Sequence, residues 1–274
     1  MFNQLETITS EQEEKLIKIR SFIKQLDSVC VAYSGGVDST LVTSLAYEQL
    51  GNQAIAITGV SPALAKSLLD EARSQAKWIG IRHLEIETSE LDQISYSKNP
   101  KDRCFACKKE LHKHTTFFSK KLKHNNILDG VNFDDLQDYR PGIKASKNAG
   151  VLSPLAKFEF SKKDIRDISR SLGFPWWDKP AQPCLSSRFP YGYEITSKRL
   201  KMVEKAEEYI KQGGISEIRV RCQGSTARIE IPKDKIKKFF DQYDFDELVK
   251  YFSNLGFECT SLDLEGLISG KLNR

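Results

Sequence analysis

The chain has no long hydrophobic run. No apolar stretch among its 274 residues approaches the roughly 20 residues that a membrane-spanning helix needs. Residues 1–18 are mostly polar and acidic, which is unlike a secretory or transit signal. We therefore expect a cytoplasmic protein with no membrane partner.

A dense basic stripe, an internal repeat and a low-complexity segment are also missing. The net charge is only +5, and the lysines are scattered in small groups such as Lys120, Lys121 and Lys123. Nucleic-acid-binding proteins usually carry a denser stripe of basic residues. A small anionic substrate accounts for the excess equally well, so we expect no nucleic-acid partner.

A short apolar strand leads into the most informative segment of the chain. Residues 29–33 are apolar, and a helix is predicted to open at Asp38 and to end at Gly51. The segment between them reads Ser34-Gly35-Gly36-Val37-Asp38-Ser39. Glycines let backbone N–H groups approach an anion, and a helix start adds unpaired donors and the positive end of its dipole.

This pattern predicts a phosphate-binding loop. It differs from a Walker loop, which ends in Gly-Lys-Ser or Gly-Lys-Thr, and from the dinucleotide Gly-x-Gly-x-x-Gly. The alternative is an ordinary helix cap after a glycine turn. The coincidence of strand, double glycine and helix start favours a phosphate site.

Strands and helices alternate along the first two thirds of the chain. Further strands are predicted at residues 54–58, 83–86 and 127–131, with one helix capped by Ser61 and Pro62 and another beginning near Lys108. This alternation predicts an α/β fold with a parallel sheet and helices on both faces. Ligands of such a sheet bind beyond the carboxyl ends of its strands.

The regular pattern breaks at residues 174–183, which contain three prolines. Beyond them we predict a helix, two strands around residues 223–225 and another helix. We place a domain boundary between residues 189 and 190. The smaller second domain, residues 190–274, is predicted to be α+β.

Three cysteines suggest a metal site. Cys104 and Cys107 form a C-x-x-C pair, and Cys184 follows at a distance. A pair of this kind can bind a metal, hold two corners of a cluster or act as a redox pair. Structural zinc would need four ligands. An iron–sulfur cluster on three cysteines and a purely structural role are the other interpretations that the residues leave open.

The combined motifs resemble the LarE family, the ATP-dependent sulfur-insertion enzymes of nickel-pincer nucleotide synthesis within the PP-loop ATP pyrophosphatase superfamily. The resemblance covers nearly the whole chain. Six motifs carry it, in this order: Ser34-Gly35-Gly36-Val37-Asp38-Ser39, Arg103-Cys104-Phe105-Ala106-Cys107-Lys108, Gly130 with Asn132, Asp134 and Asp135, Arg140-Pro141-Gly142, Pro154-Leu155, and Cys184-Leu185-Ser186-Ser187-Arg188-Phe189-Pro190-Tyr191-Gly192.

The resemblance implies both an architecture and a reaction. A PP-loop domain, residues 1–189, is joined to a C-terminal substrate and oligomerisation domain, and the chain forms a hexamer. The substrate is pyridinium-3,5-biscarboxylic acid mononucleotide. Its ring carboxylates are adenylated by ATP with Mg²⁺ and then converted to thiocarboxylates.

The sulfur donor follows from the same resemblance. Cys184 matches the cysteine that supplies sulfur, and members with all three cysteines are associated with a [4Fe-4S] cluster on Cys104, Cys107 and Cys184. That cluster relays sulfide from an unidentified source. Sacrifice of the Cys184 sulfur in a single turnover is the alternative.

Nucleotide contacts are expected at the carboxyl ends of the strands. The phosphates lie on residues 34–39, and Gly59, Val60 and Ser61 meet the adenine or ribose through backbone groups. Asn132 contacts ATP, and Asp134 is a candidate ligand of Mg²⁺. Asp38 is a further Mg²⁺ ligand, because an exposed carboxylate is too weakly basic to act as the base.

The substrate is expected to meet residues after Cys184. Arg188 is expected to act in catalysis and to hold the substrate phosphate together with Ser187. Arg219 and Arg221 point to one face of a strand, and Glu207 borders the substrate. The alternatives are a solvent-facing basic ladder and ordinary surface charge on a helix.

Three other functions compete with this interpretation. A tRNA thiolase of the same superfamily needs a basic groove or an RNA-binding module, and the sequence indicates neither. An amidating enzyme leaves the three cysteines without a role. A nucleotide-sensing or zinc-stabilised module would release no pyrophosphate.

Overall fold

The computed structural model describes residues 2, 4–137, 140–268 and 271. Its chain divides into two compact units, one of Met1–Glu90 and Asp102–Gln182 and the other of Leu91–Lys101 and Pro183–Arg274. The second unit thus takes a short excursion from the first half of the chain. The domain boundary between residues 189 and 190 stays a prediction, since a compact unit is not by itself an independently folding domain.

The helices alternate with strands in the first unit, as the sequence predicts. The α-helices of the described residues are α1 Ser10–Lys24, α2 Val37–Leu50, α3 Lys66–Ile79, α4 Ile94–Ser97, α5 Arg103–Lys121, α6 Pro141–Asn148, α7 Pro154–Lys157, α8 Lys162–Ser171, α9 Ser197–Gln212, α10 Ile236–Gln242 and α11 Phe245–Leu255. The strands are β1 Val29–Ala32, β2 Ala54–Val60, β3 Arg82–Glu87, β4 Asn126–Leu128, β5 Arg219–Gln223, β6 Thr226–Glu230 and β7 Cys259–Leu262.

The first unit is built on a four-stranded sheet of order β3-β2-β1-β4. Every pair in it is parallel, with Val29 level with Ala54 on one side and with Asn126 on the other. The strand order reverses at β1, so the chain leaves β1 and β4 in opposite directions. In an open parallel sheet this reversal creates the crevice where ligands bind.

Alternate residues of β1 face opposite layers of helices. Val29 and Val31 pack in a core with α1, α2, α3 and α8. Cys30 packs in a second core, against which residues of α5 such as Leu111 and Phe118 rest. All four residues of β1 are buried, as expected for a strand covered on both faces. The predicted α/β class is confirmed.

The second unit has a three-stranded sheet of order β5-β6-β7. β5 and β6 are antiparallel, and β6 and β7 are parallel. Apolar residues of α9, such as Leu200 and Val203, are buried, as are Val220 of β5 and Phe252 of α11. Helices and a small sheet therefore form a core, in agreement with the predicted α+β character.

Two predicted helix starts are wrong. α3 begins at Lys66 rather than at Ser61, because the Ser61 hydroxyl accepts from the N–H of Ala63 and closes a local turn. α5 begins at Arg103, not near Lys108. Polar Arg103 and Glu110 are buried on the inner face of α5, and this hides the apolar period that would reveal the helix.

Along the described residues, no helix combines the length and the apolar character that crossing a membrane requires.

Candidate active site

The segment of residues 33–39, here called the phosphate loop, joins β1 to α2. Gly35 has φ +69°, a left-handed conformation that favours glycine. A Cβ at Gly35 would also lie 3.1 Å from the Cβ of Ala72 on α3. Conformation and close packing together explain the first glycine of the motif.

The second glycine leaves the start of α2 open. Gly36 is the N-cap residue and no side chain caps the helix there. The first N–H groups of α2 are therefore available to an anion, and the helix dipole favours negative charge at this end. These groups are the donors that a phosphate would meet.

Hydroxyl groups hold the phosphate loop in shape. The Oγ atoms of Ser34 and Ser39 are 3.1 Å apart, and Ser39 Oγ donates to the backbone oxygen of Gly36 at 3.0 Å. Thr40 donates to the same oxygen at 2.9 Å. The loop is thus preorganised by its own side chains.

A network behind the phosphate loop links it to α3. Gln75 Oε1 lies 2.9 Å from the hydroxyl of Tyr33 and 3.0 Å from that of Thr40. All three residues are buried. Sequence reasoning missed Gln75, because a lone glutamine on a helix is usually a surface residue.

The turn after β4 packs directly on the start of α2. A Cβ at Gly130 would lie 2.6 Å from the backbone nitrogen of Ser39, closer than atoms can approach. Only glycine therefore lets the two segments touch. This contact brings Asn132 and the acidic residues after it to the same edge of the sheet as the phosphate loop.

Three carboxylates, here called the acidic cluster, surround one lysine. The cluster comprises Asp38, Asp134 and Asp135. Lys162 Nζ lies 2.7 Å from both carboxylate oxygens of Asp38, and the backbone N–H of Lys162 donates to Asp134 at 2.7 Å. The two candidate Mg²⁺ ligands thus meet at the first residue of α8.

Asp135 is the buried member of the acidic cluster. Burial raises its pKa, and the nearby charge of Arg140 works against that rise. Its carboxylate accepts from the N–H of Asn132 at 3.2 Å, and the Asn132 side chain accepts from the N–H of Asp135 at 3.0 Å. Asn132 is itself buried, so this reciprocal pair shapes the turn.

Lys179 contacts the phosphate loop from the proline-rich segment. Its Nζ donates to the backbone oxygen of Gly35 at 3.2 Å and forms an ion pair with Glu71. Sequence reasoning missed both Lys162 and Lys179, because a lysine outside a motif is most often a solvated surface residue.

The predicted adenine or ribose contacts lie at the carboxyl end of β2. Gly59 and Val60 are its last two residues. The next residue, Ser61, donates its hydroxyl to Glu90 at 2.5 Å. A Cβ at Gly59 would lie 2.8 Å from Leu111. The structure places these residues on the ligand side of the sheet, and their nucleotide contacts stay predictions.

Two cysteines of the predicted metal site share the first turns of α5. Cys104 is exposed and Cys107 is half-buried, and a spacing of three residues puts them on neighbouring positions of a helix. Cys184, in the second unit, is exposed and precedes a short 3₁₀ turn. Within residues 4–137 and 140–268, no three or more His, Cys, Asp or Glu side chains gather closely enough to hold a metal ion.

Arg188 is buried against the segment that carries Cys184. Its guanidinium binds Glu207 through Nε at 2.7 Å and Nη2 at 3.0 Å. Nη1 donates to the backbone oxygens of Pro183 and Cys184 at 2.8 and 3.3 Å, and to Ser187 Oγ at 3.0 Å. Burial acts to lower the pKa of Arg188, and the charge of Glu207 outweighs it and holds that pKa above its ordinary value.

The two arginines of β5 have different surroundings. Arg221 is buried and pairs with Glu230 at 2.9 Å, and its Nη1 donates to the backbone oxygen of Ser187 at 2.7 Å. Arg219 is half-buried. Burial first, and then the charges of Arg188 and Arg221, lower its pKa. Among the described residues no carboxylate is paired with the side chain of Arg219.

Comparison with known proteins was informative at the level of whole chains. No family model matches the sequence. An uncharacterized protein of Synechocystis is 52% identical over 262 residues, 96% of this chain and 98% of its own. Pyridinium-3,5-bisthiocarboxylic acid mononucleotide synthase of Lactiplantibacillus plantarum is 34% identical over 255 residues, 92% of this chain and 91% of that protein.

The chain belongs to the family of this synthase, LarE. The resemblance drawn from its motifs is thereby confirmed. A more distant likeness reaches beyond LarE, because a glutamine-hydrolyzing GMP synthase protein of Natronomonas pharaonis is 21% identical over 218 residues, 73% of this chain and 69% of that protein. The LarE chain therefore shares the PP-loop α/β fold with enzymes of other chemistry.

Proposed function

We propose that the protein is an ATP-dependent sulfurtransferase that converts the ring carboxylates of pyridinium-3,5-biscarboxylic acid mononucleotide to thiocarboxylates. The observation that carries the proposal is the 34% identity to a synthase of the bisthiocarboxylic product over 92% of the chain. The geometry of the phosphate loop supports the ATP step. The cysteines at residues 104, 107 and 184 support the sulfur step.

The first step activates a carboxylate, which is otherwise a poor electrophile. A carboxylate oxygen of the substrate attacks the α-phosphorus of ATP. The bond from that phosphorus to the bridging oxygen breaks, and pyrophosphate leaves with its electron pair. The open N–H groups at the start of α2 stabilise the negative charge on the phosphates.

ATP would reach the protein with Mg²⁺, and the donor set fits that ion. Carboxylate oxygens are its preferred protein ligands, and Asp38 and Asp134 lie together beside the phosphate loop. When bound, the ion would neutralise phosphate charge. Asn132, on the turn after β4, is well placed to orient the nucleotide.

The substrate phosphate is assigned to Arg219. A half-buried guanidinium without a paired carboxylate, among like charges that lower its pKa, would gain from binding an anion. Arg221 and Arg188 already have buried carboxylate partners. We therefore give them positioning roles, Arg221 at the backbone of Ser187 and Arg188 at the backbone of Cys184.

The sulfur step is assigned to Cys184. Its thiolate attacks the activated carbonyl carbon, AMP leaves, and cleavage of the Cβ–S bond by loss of the α-proton would leave the sulfur on the substrate and dehydroalanine in the chain. That route allows one turnover.

The repeated route uses an iron–sulfur cluster. Two thiols one helical turn apart at the start of α5 fit two corners of a [4Fe-4S] group, with Cys184 as the third ligand. When bound, such a cluster would supply a replaceable sulfide. The sulfur source, a hexameric assembly and a cytoplasmic location stay predictions of the sequence.

The test is an anaerobic reaction of the purified protein with ATP, Mg²⁺ and the dicarboxylate mononucleotide. We expect pyrophosphate and AMP to form only when the mononucleotide is present, together with a thiocarboxylate product in the mass spectrum. Nicotinic acid mononucleotide, which has one ring carboxylate, is the matched control. Absence of pyrophosphate in every reaction would contradict the proposal.

Iron and acid-labile sulfide, measured in the wild type and in Cys104→Ala, separate the two sulfur routes. About four irons per chain, lost in the variant, would support the cluster. Iron-free protein that loses sulfur from Cys184 after one turnover would support sacrifice. An iron-free wild type that turns over repeatedly with added sulfide would contradict both.

A further inference from the structure

One lysine binds both carboxylates that the proposed function gives to Mg²⁺. Lys162 holds Asp38 through its side chain, with both distances at 2.7 Å. It holds Asp134 through its backbone N–H, also at 2.7 Å. Sequence reasoning assigned Lys162 no role, since it is simply the first residue of α8.

The backbone of Lys162 is fixed while its side chain is movable. Ser161 caps α8 in a reciprocal pair with Asp164, and Asp134 adds the bond to the Lys162 N–H. The Lys162 side chain, by contrast, is 35% exposed and has a flexible four-carbon stem. Its ammonium group can therefore change partners without any change in the helix.

The charges of the acidic cluster explain why a cation is needed there. Asp38 raises the pKa of Asp135 and Lys162 lowers it, so both lie within electrostatic reach of Asp135. Without Mg²⁺, these like charges would repel one another. Lys162 compensates them in the protein without nucleotide.

We propose that Lys162 is a positioning residue for magnesium–ATP that exchanges partners when nucleotide binds. It holds Asp38 in the absence of the metal, and its ammonium turns to the phosphate oxygens when Mg²⁺ takes that carboxylate. The inference rests on the proposed function for the identity of the ligand. It predicts opposite effects of removing Lys162 on metal binding and on nucleotide binding.

Metal binding is measured first, with Mn²⁺ alone as the probe and electron paramagnetic resonance as the readout. Lys162→Met leaves Asp38 without its competing cation, so Mn²⁺ should bind about fivefold more tightly than in the wild type. Lys163→Met is the matched control. Lys163 is the next residue of α8 and pairs with Asp167 instead, so its variant should bind Mn²⁺ as the wild type does.

Nucleotide binding is measured next, by calorimetry with ATP in EDTA. Lys162→Met should bind metal-free ATP about tenfold more weakly, because a charge-assisted contact to phosphate is lost. Asp38→Asn is the reciprocal variant. It releases Lys162, so metal-free ATP should bind at least as tightly as to the wild type, while the gain from adding Mn²⁺ should disappear.

The outcomes separate an exchanging lysine from other roles. Weaker ATP with unchanged Mn²⁺ would make Lys162 a phosphate ligand that never competes for Asp38, and would overturn the exchange. Unchanged binding of both probes, with only a lower melting temperature, would make the pair structural and would also overturn it. Neither assay involves sulfur or the mononucleotide, so a failure of the proposed sulfur transfer would leave this test readable.

Discussion

At the scale of single residues, the glycines of the site are defined by what they touch. Gly130 is the sharpest case, because its Cα faces the backbone of Ser39 with no room for a methyl group. A side chain at residue 130 must therefore push the turn after β4 away from the start of α2. The same displacement would disturb the N–H groups that meet phosphate.

Gly130→Ala should cost about 1–3 kcal/mol of stability through overpacking. It should also weaken ATP binding by about tenfold, since displaced donors lose charge-assisted hydrogen bonds. Urea unfolding and calorimetry with ATP measure the two effects.

Gly150→Ala is the control for the Gly130 change. Gly150 has φ +70°, with open space where a Cβ would lie, so alanine there should cost about 1 kcal/mol through backbone strain alone. ATP affinity should be unchanged. Equal loss of ATP affinity in both variants would contradict the steric explanation.

The buried pair of Arg188 and Glu207 gives a second prediction at this scale. Their side chains are 8% and 4% exposed, so Arg188→Met leaves a buried carboxylate without its partner and should cost about 3–5 kcal/mol. Combining it with Glu207→Gln, which still accepts from the N–H of Val220, should cost less than the sum of the two single changes. Urea unfolding of the four proteins measures this coupling, and strict additivity would refute it.

At the scale of elements, α5 carries more than the cysteine pair. His112 is buried in its middle, with Nε2 2.9 Å from the hydroxyl of Ser146 on α6. Burial, and then the charge of Lys108, lowers the pKa of His112 to about 4. The imidazole is therefore neutral in the folded protein at neutral pH.

A lowered pKa makes stability depend on pH in a defined direction. The unfolded chain, with an ordinary histidine pKa of about 6.5, takes up its proton before the folded protein does as the pH falls. The contribution of His112 is complete above about pH 6.5 and is lost as the pH falls to about 4, a loss of about 3 kcal/mol. His112→Gln should remove this part of the slope.

Urea unfolding of both proteins at about pH 7.5 and about pH 4.5 measures the difference, in the window that the two pKa values define. Other groups that titrate there contribute equally to both proteins. An identical pH dependence of the wild type and His112→Gln would show that His112 is not buried in its neutral form.

Elements also show what the sequence predicted well. The phosphate loop was recognisable because strand, glycines and helix start are local signals within a dozen residues. The start of α5 was misplaced because its buried face carries Arg103 and Glu110, and their burial depends on residues far along the chain. Local patterns cannot report such contacts.

At the scale of the whole molecule, the two units can be followed separately. All three tryptophans, Trp78, Trp176 and Trp177, lie in the first unit. Tryptophan fluorescence therefore reports the unfolding of that unit, while circular dichroism reports both units. This difference allows nucleotide binding to be assigned to one of them.

Saturating ATP with Mg²⁺ should stabilise the first unit. At a hundredfold excess over its Kd, a ligand adds about 2.7 kcal/mol to the free energy of unfolding of the part that binds it. The urea transition seen by fluorescence should move to higher urea, and GTP at the same concentration is the control. A transition that does not move with ATP would contradict a nucleotide site on the phosphate loop.

The sequence by itself determined the α/β class, the phosphate loop and the family, because each of these depends on periodicity or on residues that are close in the chain. Only the tertiary structure decided the partners of charged side chains. Lys162 lies 124 residues from Asp38, and Arg221 lies 34 residues from the Ser187 carbonyl that it binds. Such pairs form because folding buries charge and leaves it no water to bind, and no local pattern encodes which opposite charge will be near.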